Sequence, residues 1–175
     1  MPSALSSFLN QEVDMVTILL KEERDSKRTC GTCSECCKTL KIEELDKPVG
    51  RRCPHQQRGG GCEKYTSRPL SCRDFGCEYL YGVGDKRPNE TGIVLDLRLG
   101  RLMQMWESRH GALDTEYAVA TRQYYLDQGH WVSYLHFRGQ KELYVSTGAS
   151  EEEIQEARED CQKNNMKIIL PARAP

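Results

Sequence analysis

Long apolar runs are missing from this 175-residue chain. A membrane-crossing helix needs roughly 18 such residues, and the longest run, Met15 to Leu20, is already broken by Thr17. No membrane partner is expected. The first fifteen residues have no basic stretch ahead of an apolar core, and Glu12 and Asp14 fall where a signal peptide would be hydrophobic, so the expected compartment is cytoplasmic. Excess charge of either sign is absent too: 25 Lys and Arg face 26 Asp and Glu, for a net charge of −1. Nothing in that balance attracts a phosphate backbone, so nucleic acid is not the expected partner. There is no internal repeat and no low-complexity tract. The length suits one domain.

Cysteine is what the chain has in excess. Of nine, eight (Cys30, Cys33, Cys36, Cys37, Cys53, Cys62, Cys72 and Cys77) fall within 48 residues, and only Cys161 stands apart. In a reducing compartment such clustering points to metal ligation ahead of disulfides. Between Cys30 and Cys77 the large apolar side chains besides cysteine are Leu40, Ile42, Leu45, Val49, Tyr65, Leu70 and Phe75, too few to make a core. Gly59-Gly60-Gly61 and three prolines add turns and chain entropy but little packing. This segment therefore needs staples, which metal–thiolate bonds supply.

The spacing is specific. Cys30 to Cys37 read C-x-x-C-x-x-C-C, followed by Cys53-Pro54, Gly61-Cys62, Tyr65 and Arg68-Pro69-Leu70-Ser71-Cys72-Arg73. Cysteines three apart in a tight turn direct both sulfurs at one ion, the bite of zinc and iron–sulfur sites. Eight thiolates suffice for two four-cysteine sites. Nine Lys and Arg against six Asp and Glu over residues 30–77 offset part of the negative charge. Iron competes with zinc, because Cys30, Cys33 and Cys36 have the spacing of a bacterial ferredoxin run; Cys37 departs from it by following Cys36 at once. These residues resemble the CxxCxxCC cysteine-cluster family, also called YkgJ-like and described as zinc- or iron-chelating domains. The match covers residues 30–77, about a quarter of the chain. The resemblance implies metal chelation and says little about a reaction.

The remaining chain reads as an α+β body. Residues 4–24 carry Leu5, Phe8, Leu9, Val13, Val16 and Leu20 at helical steps, giving an N-terminal helix and linker over 1–29. After the cysteine segment (30–77), residues 78–175 predict a hairpin of Ile93–Leu99 with Leu102–Trp106 and a helix capped by Asp114 that presents Leu113, Tyr117, Ala120 and Tyr124. A second hairpin follows over residues 131–146. Ser150 and Glu153 form a capping box before a helix holding Cys161, and Met166–Leu170 make a last strand. Strand pairs joined by short turns predict a small antiparallel sheet with helices, on which the metal-stapled segment docks. Trp106, Tyr124, Tyr125, Trp131 and Tyr134 are expected at the sheet–helix interface. Cys161 shares a helix face with Ile154 and Ala157 and is expected in the core. His55 stands close enough to Cys53 to replace a ligand, while His110, His130 and His136 fall in no catalytic spacing with carboxylates. No general base is identifiable. The expected function is cytoplasmic chelation of zinc or iron. The alternatives are an iron–sulfur protein serving electron transfer or a partner enzyme, and an interaction adaptor stabilised by zinc.

Overall fold

The computed structural model describes residues 27–171. The helix read over residues 4–24 lies outside them. Within the described residues a five-stranded sheet, ordered β1-β2-β3-β4-β5, carries the fold. Its strands are β1 (Ile93–Arg98), β2 (Leu102–Glu107), β3 (Trp131–Leu135), β4 (Lys141–Tyr144) and β5 (Lys167–Ile169). The helices are α1 (Cys36–Thr39), α2 (Leu70–Asp74), α3 (Pro88–Thr91), α4 (Glu116–Asp127) and α5 (Glu151–Lys163). The α+β class stands.

The two hairpins form as expected, β1 with β2 and β3 with β4, both antiparallel. The sheet as a whole is mixed, because β3 runs parallel to β2 and β5 parallel to β4. The reason lies in the connections. A helix after each hairpin carries the chain back along the sheet, and a returning strand lies parallel to the one it left.

Pleating divides the side chains between two faces. On one, Leu95 opposes Met105 and Leu97 opposes Met103, and both methionines continue onto Val132 and Tyr134. Helix α4 covers this face with Ala118 and Tyr125, and the Tyr134 hydroxyl donates to the Ala118 carbonyl at 3.1 Å. Of the expected face, Leu113 is buried and Tyr117 packs on the core, but Ala120 and Tyr124 are exposed, the latter by 59%, and Ala118 and Tyr125 are buried in their stead. The cap also shifts, because Ala112–Asp114 close a 3₁₀ turn and the Thr115 hydroxyl accepts from the Ala118 N–H. On the opposite face Leu102, Trp131 and Leu143 meet Ala157 and Cys161 of α5, which starts at the expected Ser150–Glu153 capping box. The rest of that face, including Val94, Gln104 and Trp106, turns toward the cysteine segment. Glu78, buried just after Cys77, fastens the segment's end to the sheet edge by accepting from the Leu97 N–H at 3.0 Å.

Candidate metal centre

The cysteine segment is built from short turns, as its composition requires. The Cys33 N–H donates to the Cys30 carbonyl at 2.8 Å, closing a turn in which Gly31 takes a positive φ of 53°. One turn of helix, α1, then presents Cys36 and Cys37. A long excursion returns at Cys53, whose N–H donates to the Cys37 carbonyl at 2.9 Å. Gln56 bridges back to Cys62, and its side-chain amide donates to the Ser34 hydroxyl at 2.6 Å. The glycine run has a structural purpose. A Cβ on Gly60 would lie 2.2 Å from the Thr32 carbonyl oxygen, so only glycine lets the loop before Cys62 cross the Cys30–Cys33 turn. Cys72 sits in α2, and Cys77 leads into the 3₁₀ turn Glu78–Tyr81.

All eight clustered cysteines line one cavity of about 180 Å³. A smaller adjoining void is lined by Cys30, Cys33, Cys36 and Cys77 without the other four. Cys37, Cys53, Cys62 and Cys72 line only the larger cavity, and the hydrogen bond between Cys36 and Cys37 joins the two sets. All nine cysteines are free thiols. Among the described residues, no three His, Cys, Asp or Glu side chains converge closely enough to hold a metal ion. Cys161 is not part of the cavity: it is 2% exposed in the core beneath α5, where burial pushes its thiol up to about 11.

The thiols differ in charge preference. Burial raises Cys33, Cys72 and Cys77, the last to about 11. Cys36 is held well above the ordinary value, first by its hydrogen bond to Cys37 and then by burial. Cys37 goes the other way, to about 7: the Cys36 S–H donates to its sulfur, and this bond together with the positive potential of Lys47 and Arg68 outweighs burial. Of these five it is the readiest thiolate.

Lys47 is the residue that the spacing of the cysteines does not reveal. It is 4% exposed, donates to the carbonyls of Leu40 and Pro48, and faces Cys53, Cys37, Cys36 and Cys72 electrostatically. Burial lowers its pKa while those thiolates pull the other way. Its only sequence signal is a position between a 3₁₀ turn and Pro48. Arg68 is extended, as its place before proline requires, with its guanidinium 4.0 Å above the Tyr65 ring. His55 lines the cavity beside the thiols. Away from it, the fold brings His136 to 3.5 Å from Glu142 and 3.9 Å from Glu107, residues that no linear spacing joins. No protein-family model, curated protein or solved structure matches the chain.

Proposed function

We propose that the protein binds zinc or iron through Cys30, Cys33, Cys36, Cys37, Cys53, Cys62, Cys72 and Cys77. One observation carries the reading: a chain that disperses these eight over 48 residues folds so that all of them line one cavity, while Cys161 is packed elsewhere. The donor set suits the metals, since an all-sulfur site selects zinc or iron–sulfur over hard cations. The setting suits them too. Of the seven large apolar residues counted in the segment, only Ile42 is buried, so a cross-link has to replace the missing core. Buried Lys47 and neighbouring Arg68 temper the negative charge of the thiolates.

The reading that follows is of two sites, one held by Cys30, Cys33, Cys36 and Cys77 and the other by Cys37, Cys53, Cys62 and Cys72; the smaller void lined by the first four supports it. Bound zinc supplies a structural cross-link, and an iron–sulfur cluster supplies a one-electron redox centre as well. The room in the 180 Å³ cavity is what keeps the iron–sulfur reading, in electron transfer or beside a partner enzyme, as the second one.

Elemental analysis with a visible spectrum, on protein purified anaerobically, tests both readings. Two zinc ions per chain and a colourless solution support the first, and iron with acid-labile sulfide and a brown colour supports the second. Cys→Ser at any of the eight should lower metal content, and Cys161→Ser should leave it unchanged. A chain carrying neither metal, with all eight thiols reduced, would overturn the proposal.

A further inference from the structure

A larger cavity, about 320 Å³, opens where α1, β2, the β3–β4 turn and the end of α5 meet. Lys38 and Thr39 form one wall, but none of the cysteines lines it. The volume is that of a small-molecule site, about 300–1,000 Å³. Gln104, in the middle of β2, lines this cavity. The residue is 9% exposed, and its amide, without a hydrogen-bond partner among the described residues, opens on the cavity. Two residues on, Trp106 lines the same cavity, its indole N–H sealed from solvent and without an acceptor among the described residues. Period-two pleating places both on one sheet face, so one strand offers a donor and acceptor side by side with an aromatic ring next to them.

The surroundings narrow the ligand further. Leu135 and Met166 supply apolar walls beside the Trp106 ring, and Phe137 stands 48% exposed at the rim. Lys141, also lining the cavity, is exposed and forms no ion pair among the described residues. A purely apolar guest would leave the Gln104 amide unmatched, and a simple anion would leave the aromatic wall unused. We propose that this cavity binds a flat heterocycle whose edge carries a hydrogen-bond donor beside an acceptor, with an anionic group reaching Lys141: in chemical class, a purine or pyrimidine nucleotide. A glutamine amide pairs with such an edge through two hydrogen bonds, and an aromatic side chain stacks on the base. The inference does not depend on the metal reading, because the two cavities share no cysteine.

Calorimetric titration of the full chain, as purified, with guanosine 5′-monophosphate and uridine 5′-monophosphate tests this. At least one should bind and alter tryptophan emission. Trp106→Phe should remove the change in emission while Trp131 remains. Gln104→Leu, which keeps the volume and deletes the paired edge, should weaken binding at least tenfold. Gln104→Met, which keeps the side-chain length and deletes the paired edge, should do the same and serves if the leucine variant fails to fold. Lys141→Ala should weaken the nucleotide but not the corresponding nucleoside. Absence of binding by either nucleotide at millimolar concentration would overturn the proposal. So would unchanged affinity in a folded Gln104 variant, or equal competition by naphthalene-1-sulfonate, which is flat and anionic but lacks the edge.

Discussion

At Cys37 the burial that raises its neighbours is outweighed by one S–H donor and two cations, and the consequence is chemical selectivity. In metal-stripped, reduced protein, iodoacetamide should modify Cys37 before Cys33, Cys36, Cys72, Cys77 and Cys161, with a rate midpoint near pH 7, followed by peptide mapping. Cys36→Ala removes the donor and Lys47→Met a cation, so either should move that midpoint upward. A folded-state value of about 7 against an ordinary 9.0 means the ionised form stabilises the fold. That contribution is complete above pH 9 and is lost as pH falls through about 7. Metal binding should weaken across the same window, because thiolates must accept protons as the ion leaves. The cysteines were legible at this scale because C-x-x-C-x-x-C-C has a geometric meaning by itself. Lys47 was not, since a lysine before proline looks the same whether it meets water or a ring of thiols.

Among the elements, the crossing of the Gly60 loop over the Cys30–Cys33 turn is the tightest dependence on a single side chain. Gly60 has a φ of 92° and no room for a Cβ, whereas Gly59 next to it meets nothing within 4 Å. Gly60→Ala should therefore destabilise the protein by more than about 1 kcal/mol, from the left-handed backbone alone, and should lower metal retention by separating Cys62 from the first turn. Gly59→Ala should do neither, as thermal melts and metal analysis of the pair would show. Helix α5 offers a comparison on the body. Ser150→Ala deletes the hydroxyl that accepts from Glu153 N–H at 3.2 Å and should cost about 1 kcal/mol in denaturant unfolding, without altering metal content. The capping box was readable in the sequence because its partners are three residues apart. The phase of α4 was not, because Tyr124 and Tyr125 are adjacent aromatics and packing against Met105 and Tyr134 chose between them.

Considered whole, the molecule pairs a sheet body that has its own two apolar clusters with a segment that has almost none. Removal of metal should act on the two unequally. Limited proteolysis after strong chelation should give new cuts around Gly59–Gly61 and Arg68, while β1 to β5 stay protected. Simultaneous loss of both regions would show that the segment also holds the sheet together. The sequence by itself determined the α+β class, the hairpins, the capping box and the division of the cysteines into eight and one, because each rests on spacings within a few residues or on composition. Only the tertiary structure decided that the sheet is mixed, since strand direction depends on where a crossover helix lands. It also decided that Lys47 lies among the thiols and that Gln104 lines a cavity beside Trp106. Those juxtapositions join elements remote in the chain, and burial and electrostatic environment exist only once the elements have packed.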